Sequence, residues 1–158
     1  MQPANPFDPI SDPDRHLIWH KMIIEDSIAF VAADFAPIAD DFDEEHFEGL
    51  RAKGSHNPDD WRIVFPTLAS YRDNWLKAAR AFIAKEFAGM TPLDAVYART
   101  HMNEIEITGD RALAHKQFFG TVPLADGSQL SGSQQTLYRL HKQKNRWKVV
   151  GFIGQLPL

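Results

Sequence analysis

The chain has 158 residues, a formal net charge of −4 and no cysteine. That length suits one domain able to bury a core without cross-links. The acidic balance argues against a nucleic-acid or anionic-membrane partner, and the absent thiols exclude disulfides, Cys-ligated zinc, iron–sulfur clusters and cysteine nucleophiles.

Residues 1–11 contain Pro3, Pro6 and Pro9 and read as an extended N-terminal arm, with one domain expected over 12–158. The arm has neither the basic nor the apolar region of a signal peptide, and no apolar run reaches the length of a membrane span, so a cytoplasmic location is expected. Ser11-Asp12-Pro13-Asp14 opens a helix that runs to about Asp34, bends near Asp26-Ser27 and ends at Pro37. An acidic stretch follows, then a short strand over 47–52 and a loop over 53–56. Asn57-Pro58-Asp59-Asp60 starts a second helical region, which Pro66 splits into a short helix and a long one ending near Phe87. After Pro92 the apolar period changes from 3.6 to 2. Strands are expected over 93–107 and 111–122, joined at Gly109-Asp110, and over 128–142 and 147–153, joined at 143–146. Helices followed by four antiparallel strands predict an α+β fold with the helices on one face of the sheet.

On the first helix a polar line of His16, His20 and Ser27 runs between two apolar stripes and points to a pocket or to satisfied buried groups. His16 and His20 are spaced for a shared metal, but no third ligand accompanies them and no metal is expected. A two-residue turn at Gly109-Asp110 pairs Thr108 with Arg111, which places His101 opposite Phe118 and Asn103 opposite Lys116. His101, Asn103 and Arg99 would then face the mouth of a pocket. His101 is the first candidate for a general acid or base, against a structural histidine. Arg72, inside the apolar stripe of the long helix, would hold an anionic group of a ligand or pair with Asp40, Asp41 or Glu48. Tyr71, Trp75, Tyr138 and Trp147 either fill the core or contact a ligand. The acidic run from Asp40 to Glu48 lacks the spacing of a calcium loop, and no glycine loop is built to cradle phosphate.

Several of these segments, in this order, resemble a known family. A bent helix precedes Ala39-Asp40-Asp41-Phe42. A small strand and a helix come next, then His101-Met-Asn103-Glu-Ile105-Glu-Ile107, the turn Thr108-Gly-Asp-Arg-Ala112 and a closing strand with Trp147-Lys-Val149. Over residues 12–155 the chain is similar to the nuclear transport factor 2-like superfamily in its SnoaL-like branch. The resemblance implies a cystatin-like α+β roll, a cone in which a strongly bent antiparallel sheet wraps N-terminal helices around a pocket. It also implies a homodimer through the convex face. Members include isomerases, dehydratases, epoxide hydrolases, polyketide cyclases and binding domains, so the fold does not choose the function. Neither the Tyr-and-two-Asp set of the steroid isomerase branch nor the Asp-Arg-Asp set of the epoxide hydrolase branch can be placed on this sequence.

The expectation is therefore a small-molecule pocket protein, a cofactor-independent isomerase, dehydratase or cyclase. His101 and His20 would exchange protons, and Arg72 or Asn103 would hold a substrate oxygen. His16, Tyr71, Trp75, Phe118, Tyr138 and Trp147 would complete the ligand contacts. The alternative is a non-catalytic binding domain, or a dimerising structural module with a filled cone.

Overall fold

A computed structural model describes residues 1–158. Its first helical unit is α1 (Pro13–Trp19), a π-helical stretch (His20–Glu25) and α2 (Asp26–Ala32). Then come a 3₁₀ turn (Ala36–Asp41), β1 (Glu48–Arg51), β2 (Arg62–Phe65), α3 (Leu68–Ile83) and α4 (Pro92–Arg99). The remaining elements are β3 (Thr100–Thr108), β4 (Arg111–Phe118), β5 (Val122–Pro123), β6 (Gln129–Leu130), β7 (Gln134–Gln143) and β8 (Arg146–Leu156). One six-stranded sheet has the order β2-β1-β8-β7-β4-β3, and β5 pairs with β6 as a separate small ribbon. All neighbours in the large sheet are antiparallel except β1 and β8, which run parallel.

Two adjacent lateral rows show how the sheet is used. The inner row reads Phe65, Gly49, Phe152, Tyr138, Ala114 and Ile105 across all six strands. Every member of it is buried. A side chain at Gly49 would meet the Phe152 ring at 2.9 Å, so only glycine lets Phe152 and Phe65 close over that position. The outer row reads Ile63, Leu50, Ile153, Leu137, His115 and Glu104 and faces away from the helices. Inside the cone an aromatic cluster gathers on Tyr71, whose ring lies 5.3 Å from Phe47 and 5.0 Å from Phe152. Stacked and tilted contacts of this kind add to the stabilisation from burial alone.

Four expected boundaries move. Residues 93–99, expected as strand, belong to α4. Pro92 sits in the first helical turn, and Thr91 Oγ accepts the Asp94 amide at 3.1 Å, which is a helix start rather than a helix stop. Residues 62–65, expected as part of a short helix, form β2 beside β1. The long helix closes at Ile83, before Phe87. The third expected strand, over 128–142, divides into β6 and β7. The N-terminal arm bends and turns over residues 6–11 and is tied down: Phe7 packs on the core, its carbonyl meets His16 Nδ1 at 2.8 Å, and Asn5 donates to the His16 carbonyl.

The bend in the first helix has a definite cause. In the π-helical stretch the Asp26 amide bonds Lys21, five residues back, instead of Met22. The Met22 carbonyl is thereby free for another donor.

Candidate functional site

A cavity of about 490 Å³ lies between α2, α3 and α4 on one side and β3, β4 and β7 on the other. Its mouth is bordered by Ser131, Gly132 and Ser133, which precede β7, and by Arg99 at the end of α4. A much smaller chamber, about 30 Å³, continues inward past Ile18, Trp147 and Leu140. Asp26, Tyr71, Lys116 and Tyr138 border both spaces, so these four side chains stand at the junction.

Lys116 is the centre of that junction. Its side chain is 4% exposed, and its ammonium donates to Asp26 Oδ2 at 2.7 Å and to the Met22 carbonyl at 2.6 Å. An ammonium this deep needs a counter-charge and full hydrogen bonding. Asp26 supplies the charge, and the carbonyl released by the π-helical stretch supplies a second acceptor. Asp26 Oδ1 has no protein donor, which leaves half of the carboxylate free. The Tyr71 and Tyr138 hydroxyls interact with one another. Burial, first, and the nearby Asp26 carboxylate hold Tyr138 well above its ordinary value, and burial does the same to Tyr71. Both phenols therefore remain protonated donors at neutral pH.

The walls of the larger chamber are aromatic. Phe30 meets Trp75 edge-on at 5.5 Å and Phe82 at the same distance. Ser27, 1% exposed, has a hydroxyl with no partner. The indole nitrogen of Trp147 is committed to Asp14 at 3.0 Å, so this residue offers the inner chamber a ring face.

Of the residues singled out from the sequence, Tyr71, Trp75, Phe118, Tyr138 and Trp147 border the cavity. Of the polar candidates, Arg99 and Ser27 border it as well, and the others lie elsewhere. His101 was expected opposite Phe118, yet it pairs with Gln117, and Thr100 takes the place opposite Phe118. One extra residue in β3 between His101 and Glu104 causes this. Such a bulge reverses which face the following side chains occupy. Met102 turns inward and is 1% exposed, Asn103 stays outside, and His101 stacks on Phe119 at 4.0 Å on the outer side. His20 is 45% exposed and lies 3.7 Å from Glu25 on the surface. His16 serves the N-terminal arm. Arg72 is 47% exposed beside Asp73 and reaches neither chamber nor any of the three acids considered for it.

Sequence reading placed Arg99 at the mouth and Ser27 toward the pocket, as the cavity lining bears out, but missed Asp26 and Lys116 as a pair. The register had put Lys116 on the inner face, where a lone lysine among Ala112, Ala114 and Phe118 is a signal for a buried counter-ion. The matching acid was hidden because a π-helical stretch shifts the helical wheel, and a constant 100° per residue no longer tracks the face.

Comparison with protein-family models gives no match, and neither does comparison with curated proteins. Solved structures do share the fold. A nuclear transport factor 2-like protein with a cystatin-like fold from Novosphingobium aromaticivorans is 14% identical, with TM-score 0.62 over 92% of this chain and 82% of its own. A cystatin-like domain of unknown function from Nostoc punctiforme is 12% identical, with TM-score 0.60 over 92% and 78%. A nuclear transport factor 2-like protein of unknown function from Pseudomonas putida is 13% identical, with TM-score 0.54 over 90% and 86%. At these identities the likeness is one of fold, and the fold of this chain is the nuclear transport factor 2-like, cystatin-like α+β roll.

Proposed function

We propose that the protein is a cofactor-independent enzyme of the SnoaL-like kind, moving a proton on a small, mostly apolar organic molecule in an isomerisation, dehydration or cyclisation. The observation that carries this reading is the Asp26 carboxylate at the junction of an aromatic cavity, held by Lys116 with one oxygen free. Asp26 is the base that removes a proton from carbon next to a carbonyl and returns it at a second position. The Tyr71 and Tyr138 hydroxyls are donors for the oxygen that gains negative charge. Lys116 orients the carboxylate through the 2.7 Å bond to Oδ2. Asp26 and Lys116 thus take the roles expected of His101 and His20. The protein acts in the cytoplasm as a homodimer through the outer face of the sheet, and the outer apolar row of exposed Ile63 and half-buried Leu50, Ile153 and Leu137 supports that contact.

The test needs no knowledge of the natural substrate. A panel of small aromatic ketones is incubated with the protein in D₂O, and deuterium uptake beside the carbonyl is followed by NMR. Asp26→Asn should slow uptake by about 100-fold or more while leaving ketone binding within about threefold. Equal uptake in the variant would remove Asp26 from the chemistry. The second reading is a binding domain without catalysis. It is favoured by the 2.7 Å ion pair, which already satisfies the other carboxylate oxygen, and it predicts ketone binding with no uptake in either protein.

A further inference from the structure

The larger chamber carries an unbalanced charge. Its ionisable lining apart from tyrosines is Asp26, Lys116 and Arg99, one carboxylate against two cations. Asp26 and Lys116 neutralise each other at 2.7 Å. Arg99 has no acidic partner: Nε donates to the Gly120 carbonyl at 3.1 Å and Nη2 to the Gly132 carbonyl at 2.8 Å. A guanidinium has five N–H groups, so hydrogens remain on both terminal nitrogens after these two bonds. That end-on pair is the geometry that grips a carboxylate through two parallel bonds.

Arg99 borders only the outer chamber, whereas Asp26 and Lys116 stand where the two chambers join. Between them lie the aromatic faces of Phe30, Trp75 and Phe118 and the unpartnered hydroxyl of Ser27. A buried hydroxyl without a partner in the chain is uncommon and leaves one donor at this wall unspent.

We infer that the chamber takes a flat, apolar monocarboxylate, with its acid group on Arg99 at the mouth and its other end at the Asp26–Lys116 junction beside Ser27. The inference rests on reading the cavity as a small-molecule site, and it names the class of molecule. The volume, about 490 Å³, lies within the range of small-ligand pockets. The two carbonyl bonds of Arg99 hold the guanidinium in place at the mouth, so little rotamer freedom is lost on binding.

The experiment compares 2-naphthoate with 2-naphthamide by isothermal titration calorimetry at neutral pH. The two probes share shape and apolar area and differ in charge. The wild-type protein should bind the carboxylate at least about tenfold more tightly. Arg99→Met should abolish that preference and leave the amide affinity within about threefold. Arg99→Lys, which keeps the charge without the fork, should retain part of the preference. A wild-type protein that binds both probes equally would overturn the inference without any variant. So would an Arg99→Met protein, folded by its thermal melt, that loses both probes alike, because Arg99 would then only hold the Gly120 and Gly132 loops. Asp26→Asn separates this inference from the proposed chemistry. Lost deuterium uptake with the carboxylate preference intact supports both. A preference intact in a protein that never exchanges deuterium keeps the inference and removes the enzyme.

Discussion

The two faces of the sheet reverse the usual arrangement at their centres. On the inner face, where burial is greatest, β4 places Lys116 between Ala114 and Phe118. On the outer face the neighbouring strands place Leu50, Leu137 and Ile153 in a row that ends in exposed Ile63. Consistent patterning makes a fold, and a local breach of it marks a position kept for something else. The inner breach is answered within the chain by Asp26 and the Met22 carbonyl, whereas the outer one has no answer within the chain.

The largest effect is expected from breaking the inner exception. Lys116→Met leaves Asp26 as a lone carboxylate at the cavity wall and should cost about 3 kcal/mol in urea unfolding. Adding Asp26→Asn should recover most of that loss, and a strictly additive double variant would show that the two groups do not depend on each other. Breaking the outer exception should leave stability nearly unchanged and alter assembly. Leu137→Glu is expected to give a monomer by light scattering while naphthoate binding stays the same. A wild-type monomer would leave the outer row without a partner of its own kind.

A third carboxylate sharpens the contrast. Asp43 is saturated: Oδ1 accepts the Glu45 and His46 amides, and Oδ2 accepts His46 Nδ1 at 3.0 Å and Gln143 Nε2 at 2.7 Å. Burial opposes its ionisation, but the bonds from Gln143 and His46 hold it down at about 2. Its contribution is present above 3.8 and is lost as pH falls toward 2. His46 is raised from 6.5 by its bond to Asp43, so its part is complete below 6.5 and fades as pH rises through the raised value. Asp43→Asn should flatten both limbs of the pH–stability curve without touching ligand binding. An unchanged acid limb would show that Asp43 is not the group responsible. The smallest effects belong to His20→Ala and Arg72→Ala, expected within about 0.5 kcal/mol in stability and without effect on deuterium uptake.

The order of helices and strands was legible because amphipathic periods and turn residues are local signals. The helix start at Ser11–Asp14, the turn at Gly109-Asp110 and the hairpin between β7 and β8 all stand where patterning put them. The aromatic lining was legible as well, since large rings in this fold border the interior in any case. Of the polar part, Arg99 and Ser27 were legible, but the Asp26–Lys116 pair and the outward place of His101 were not, and the causes are two local irregularities. The β3 bulge carried His101 outside, and the π-helical stretch brought Asp26 to Lys116. Neither leaves a periodic trace, because each is a break in the period. Both depend on contacts made by distant parts of the chain.

The β3 bulge gives this cone an unusual latitude for change. Deleting Asn103 alone would restore the regular ladder with Met102 opposite Lys116 on the inner face and His101 still opposite Gln117 on the outer, so the bulge absorbs one residue without moving either flank. A single codon gained or lost at that point would leave the groups lining the cavity as they are. Descendants of one ancestor could thus differ in length at this strand while their cavities stay alike, a form of inheritance in which spacing changes and the lining does not.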